Sequence, residues 1–192
     1  MTLKEIINNI HPLPEESLSR LTACITEIEV PKGCQILEAG KTERSVFFLK
    51  KGTVRAYLTK NGRDITFWIG IEGSVVISMK SYVSNTPGYE TVECMENSIL
   101  YSINHNELQQ LFSEDIHIAN WGRKLAESEL LNTEERLLPL LFTDAMSRYE
   151  NLLKKQPYLL QRIPLEHLAS YIGIIPVSLS RLRANLKKDS SA

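Results

Sequence analysis

The chain reads as an α+β protein, with an antiparallel β-rich region first, a long helix after it and an all-α C-terminal end. Three features predict this order. Pro31-Lys32-Gly33, Ala39-Gly40, Lys51-Gly52, Asn61-Gly62 and Glu72-Gly73 punctuate the chain at intervals of roughly 10 residues, the rhythm of short strands in a sandwich or barrel. Beyond Ser113 the apolar residues return to a spacing of three and four, which is helical. Over residues 164–186 two short apolar stripes of that kind flank a single glycine.

Taken in order, Leu3, Ile6, Ile7 and Ile10 place an amphipathic helix before His11-Pro12, and Pro14-Glu15-Glu16 opens a second with Leu18 and Leu21 on its buried side. Strands are expected at 35–37, 46–49, 54–58 and 65–69, where β-branched and aromatic residues gather between the turns. Asn61-Gly62 is the strongest hairpin signal, because a type I′ turn needs left-handed backbone at both central residues. Two more strands follow at 89–95 and 98–103. Asn104, with Glu107 three residues on, starts a helix carrying Leu108, Leu111 and Phe112.

Ile118, Trp121, Leu125 and Ser128 fall at three-four spacing on a helix assigned to 116–136, with Leu131 close behind. Such a stripe suits a seam between two copies or a face lying on its own domain. The seam is the working expectation, because helix-turn-helix units usually act in pairs on half-sites. Leu137, Leu138, Leu140 and Leu141, then a helix through Tyr149, Leu152 and Leu153, lead to the C-terminal motif.

That motif is Leu165, Leu168, Ala169 and Ile172 on one helix, Gly173 at the break, and Pro176 with Leu179, Leu182 and Leu186 on the next. A residue without Cβ can take the left-handed conformation that ends a helix, and proline suits the first position of its successor. The product is a helix-turn-helix with a small residue, Ala169, at the crossing. On duplex DNA the solvent face of the second helix, Val177, Ser178, Ser180, Arg181 and Ala184, would enter the major groove. Arg181 has the geometry to pair with a guanine edge or to grip phosphate; Lys187 and Lys188 suit phosphate contact, and equally a solvated helix end.

Charge is distributed to match. The whole chain carries a formal −1, but from Leu137 onward eight Lys and Arg face four Asp and Glu, a local +4, while residues 1–136 hold −5. A basic end on a neutral-to-acidic body fits a nucleic-acid-facing terminus. A charge of +4 binds DNA weakly alone, so two copies are expected. Three cysteines, at 24, 34 and 94, form no C-x-x-C pair and are odd in number, which points to a reducing compartment, the cytoplasm. No apolar run approaches bilayer length, so no membrane partner is expected. No Gly-rich phosphate loop, metal-spaced His/Cys/Asp cluster or G-x-S-x-G element is present, and the chain does not read as an enzyme.

Two stretches carry a family resemblance: Phe47-Phe48-Leu49-Lys50-Lys51-Gly52-Thr53-Val54-Arg55, and His167-Leu168-Ala169-Ser170-Tyr171-Ile172-Gly173-Ile174-Ile175-Pro176 continuing to Leu179-Ser180-Arg181. In this order they resemble the Crp/Fnr transcription regulators over nearly the full length. The resemblance implies a cyclic-nucleotide-binding-like jelly roll over 1–115, a dimerisation helix over 116–136 and a helix-turn-helix domain over 137–192. It further implies a homodimer on double-stranded DNA, allosteric control through the jelly roll, and RNA polymerase as a further partner.

The departures are equally informative. Where cyclic-AMP-binding members carry a Gly-Glu pair for ribose and an Arg followed by Ser or Thr for the cyclic phosphate, this chain has Ile77-Ser78 and Gly88-Tyr89. A buried anion without a cationic partner costs several kcal/mol, so cyclic AMP is not the expected ligand. The pocket lining would be Ser78, Met79, Tyr82, Tyr89 and Thr91, for a small, partly apolar effector of unknown identity; a jelly roll packed solid with side chains is the alternative. No cofactor is required: three scattered cysteines cannot hold an iron–sulfur cluster, and the four histidines sit at helix starts or on helices. Pro176 and Val177 replace the family's base-reading Arg and Glu, and six residues after Leu186 leave no room for a wing. The competing reading is a partner-docking protein with DNA affinity lost.

Overall fold

The computed structural model describes residues 1–189, and side-chain surroundings through Ala184. The chain divides into two compact units, one of residues 1–56 with 69–132, the other of 57–68 with 133–192.

The first unit opens with α1 (Leu3–Ile10) and α2 (Glu15–Ala23). Thr2 caps α1 through its side chain and Glu5 returns the bond, a capping box that fixes where the helix starts. The strands follow: β1 (Thr26–Val30), β2 (Gln35–Leu37), β3 (Ser45–Lys51), β4 (Val54–Lys60), β5 (Arg63–Gly70), β6 (Val75–Val76), β7 (Thr91–Cys94) and β8 (Ser98–Asn104), with a short α3 (Met79–Ser84) between β6 and β7. They form two four-stranded sheets, ordered β1-β8-β3-β6 and β2-β7-β4-β5. This is an antiparallel jelly roll; among the described residues the sheets do not close into a barrel. Strand β8 pairs with β1 and β3, setting Leu100 opposite Ile28 and Leu49.

Helix α4 (His105–Glu114) starts where its sequence signal lies, the Asn104 side chain accepting the Asn106 amide at 2.8 Å. Helix α5 then runs unbroken from Ile116 to Phe142. Its first turns belong to the first unit's core, which gathers Ile6, Ile7, Leu18 and Leu21 against Phe48, Tyr101 and Ile103. Trp121 has no solvent exposure; its indole N–H donates to the Ile7 carbonyl at 3.0 Å and its ring lies 6.0 Å from that of Phe48.

This corrects the expected dimer seam. Ile118 and Trp121 are fully buried in their own unit, Leu125 packs against the same core, and Ser128 bonds back to the Leu125 carbonyl. Helical period identifies an apolar face but not what covers it; here α1 and the β1-β8-β3-β6 sheet cover it.

The second unit contains α6 (Ala145–Lys155), α7 (Leu159–Arg162), α8 (Leu165–Tyr171) and α9 (Pro176–Asp189), with residues 133–142 of α5 and the hairpin tip 57–68. The Asp144 side chain caps α6 by accepting the Ser147 amide at 2.8 Å. Asn61 and Gly62, at φ +53° and +72°, supply the two left-handed residues that the hairpin turn demands.

Truncating Trp121 to Ala removes a fully buried ring and one of the two hydrogen bonds to the Ile7 carbonyl, which also accepts the His11 amide. It is expected to cost about 3–5 kcal/mol in urea unfolding; a loss under about 1 kcal/mol would contradict this role.

Candidate DNA interface and effector cavity

In the second unit Leu168, Ala169 and Leu179 are fully buried, so α8 and α9 cross on the small residue the sequence placed there. Between them Gly173 stands at φ +78°, a left-handed backbone that a side chain would strain. With Leu179 turned inward, the opposite side of α9 faces solvent. Val177 is 56 % exposed, Ser180, Arg181 and Ala184 are exposed, and Ser178 is half-buried. The side chains of Lys187 and Lys188 lie outside the described surroundings.

The end of α8 is held by two arginines that the sequence did not single out. Arg136 donates to the Tyr171 carbonyl and, at 3.2 Å, to the Phe67 carbonyl, and stacks 3.9 Å from the Tyr171 ring. Arg148 donates to the Ile172 carbonyl at 2.7 Å and to the Thr143 carbonyl. Carbonyls at a helix C-terminus have no intrahelical donor, and cations there also complement the dipole. Burial pulls the Arg136 pKa below the ordinary arginine value and pushes the Tyr171 phenol above its own. Arg183 is likewise engaged, its Nε donating to the Tyr149 hydroxyl at 3.1 Å.

The hairpin tip joins the same unit. Ser170 on α8 accepts the Thr66 amide at 2.8 Å and donates to the Asp64 carbonyl at 3.3 Å. No periodicity announces such a pairing, because each partner reads separately as strand or helix.

In the first unit a cavity of about 110 Å³ opens between the end of β2 with the 38–43 loop and Ser78 and Glu90. Of the five residues expected to line a pocket, Ser78 does so. Met79 and Tyr89 are 52 % and 55 % exposed. Tyr82 packs on the core with its ring against His105, and the Thr91 hydroxyl accepts the Ala39 amide at 3.3 Å. Met79 and Tyr82 are misplaced because of α3, a helix absent from the sequence-based expectation, which turns Met79 to solvent and Tyr82 to the core. The residue that sequence reasoning missed is Glu90, a carboxylate only 6 % exposed.

Among the described residues no group of His, Cys, Asp and Glu is arranged to hold a metal ion, and no helix is long and apolar enough to cross a membrane.

Residues 27–115 match the cyclic nucleotide-binding domain family. No curated protein matches the sequence. Among solved structures, FixK2 from Bradyrhizobium japonicum superposes with TM-score 0.73 at 19 % identity, over 86 % of each chain. The c-di-GMP-responsive regulator CLP of Xanthomonas campestris gives 0.72 at 19 %, over 92 % of this chain and 93 % of that one. A Crp/Fnr-family transcriptional regulator from Eubacterium rectale gives 0.73 at 16 %, over 94 % and 88 %. At such identities these likenesses establish a shared fold.

Ser170→Ala would strip the Thr66 amide of its acceptor. The expected result is a loss of about 1–2 kcal/mol and faster hydrogen exchange at that amide; unchanged exchange would contradict the contact.

Proposed function

We propose that this chain, which joins a cyclic nucleotide-binding domain to a helix-turn-helix within the Crp/Fnr fold, is a homodimeric transcription regulator. It binds double-stranded DNA sequence-specifically and answers to an effector other than cyclic AMP. The observation that carries the DNA reading is α9: Leu179 anchors it against α8 while Val177, Ser180, Arg181 and Ala184 stand in solvent on its outer side. A helix so mounted offers its free face to a major groove.

Arg181 is the base- or phosphate-contacting side chain in this reading. It is exposed, whereas Arg136, Arg148 and Arg183 are committed within their unit. Ser178 and Ser180 supply hydroxyls beside it, and Lys187 and Lys188 extend the positive charge to phosphate. Contact with RNA polymerase belongs to the same reading, as does effector control of DNA affinity through the jelly roll.

Pairing falls to a different stretch of α5 from the one first expected. Leu137, Leu138 and Leu141, on the second unit's part of α5, are 48–64 % exposed. Burying a leucine fully is worth about 1.5–3 kcal/mol, so a second copy laid along this face gains substantially.

The reading excludes cyclic AMP on charge. Beside the Gly88-Tyr89 positions the cavity presents Glu90, an acid where the cyclic phosphate would require a cation.

Affinity for duplex DNA is expected to fall steeply with salt on a log–log plot, and Arg181→Ala to make the slope shallower by about one. A flat salt response in the wild type would contradict DNA binding and favour docking to a protein partner. Cyclic AMP should leave Tm unchanged; a rise of several degrees would overturn the exclusion.

A further inference from the structure

The 110 Å³ cavity of the jelly roll is lined mainly by acidic charge. Glu38, Glu43 and Glu90 line it against one cation, Lys41. Lys41 is taken by Glu38 at 2.6 Å, which leaves Glu43 and Glu90. Glu43 accepts the amides of Arg44 and Ser45 through one oxygen. Glu90 is 6 % exposed and accepts the Tyr89 amide at 3.1 Å; among the described residues no cation pairs with it. The buried arginine of the same sandwich, Arg55, is bound by Glu93 at 3.0 Å.

A second group in the cavity is also unanswered. The Ser78 hydroxyl is 4 % exposed as a residue, lines the cavity and has no hydrogen-bond partner. It stands with Glu90 around Gly88. A Cβ added there would fall 2.5 Å from Ser78 Oγ and 3.4 Å from Glu90 Oε1. Gly88 is itself fixed to the facing loop by two backbone bonds of 2.9 Å, its N–H to the Lys41 carbonyl and its carbonyl from the Gly40 N–H. The two oxygens therefore flank a bare, immobile piece of backbone.

We infer that this cavity is the effector site and that it takes a small organic cation bearing N–H donors, a primary ammonium or guanidinium, with Glu90 as counter-charge and Ser78 as a second acceptor. Burying a carboxylate without a counter-charge and a hydroxyl without a partner is costly, and a donor-bearing cation answers both at once. An anion would meet two carboxylates that no cation neutralises among the described residues, and be repelled. A divalent metal would lack ligands, since no metal-holding group exists among the described residues. Size agrees: at about 30 Å³ of liquid volume per water the space corresponds to roughly four waters, room for an amine head group. The inference rests on the jelly roll being an effector domain, but its test is binding alone, so failure here leaves the DNA reading standing.

The test uses the full-length chain at pH 7 and amide chemical shifts of Gly88, Tyr89 and Glu90. Ethylammonium chloride and methylguanidinium chloride are titrated, with tetramethylammonium chloride as a cation lacking N–H and sodium acetate as an anion. Saturable shifts are expected with at least one of the first two and none with the controls. Glu90→Gln should weaken binding at least tenfold. Ser78→Ala, which removes only a partnerless hydroxyl and so should fold normally, should weaken it several-fold, and Gly88→Ala should do so by filling the space. No saturable response to either N–H cation, an equal response to tetramethylammonium or acetate, or unchanged affinity in folded Glu90→Gln or Ser78→Ala would overturn the inference.

Discussion

Trp121 is the point at which the long helix is fastened to the sandwich it leaves. An aromatic of this size buries about 150–250 Å², and its one polar atom must find a partner inside; here that partner is the carbonyl of Ile7, in the helix that covers the sheet. The hydrogen bond orients the ring, and the ring sets the rotation of the first turns of α5 against the sandwich. Ile118, Trp121 and Leu125 are therefore spent on the unit's own core, while Leu130, Leu131, Leu137, Leu138 and Leu141 are left uncovered.

A comparable division of labour runs through the basic residues of the second unit. Counted in sequence, its arginines look like a DNA-facing surplus, but Arg136 and Arg148 end α8 by donating to Tyr171 and Ile172, and Arg183 holds Tyr149. Their charge is used to terminate and brace the helix pair. Arg181 on α9, and Lys154 and Lys155 at the end of α6, are among the exposed basic residues that remain.

Much of this architecture was legible beforehand because its signals are local. Asn61-Gly62 turns where two left-handed residues must stand, Asn104 starts α4, and Leu179 with Ala169 forms the crossing of α8 and α9. What escaped was non-local. The stripe at Ile118 and Trp121 was visible, but its partner, supplied more than a hundred residues earlier by α1, was not. Glu90 reads as an ordinary alternating strand residue, and only the approach of the 38–43 loop to Gly88 encloses it. Likewise Ser170 reads as a helix residue and Thr66 as a strand residue; their hydrogen bond exists only in three dimensions. Met79 and Tyr82 were misplaced because a two-turn helix amid strands leaves too few residues to show a period.

The proposed homodimer rests on the exposed leucines of α5 meeting those of a second copy. Sedimentation velocity of the wild type and of Leu138→Asp tests it most directly. A wild-type dimer, converted to a monomer by Leu138→Asp with thermal unfolding of the sandwich unchanged, is the predicted result; a monomeric wild type, or a dimer that survives an aspartate at position 138, would contradict it.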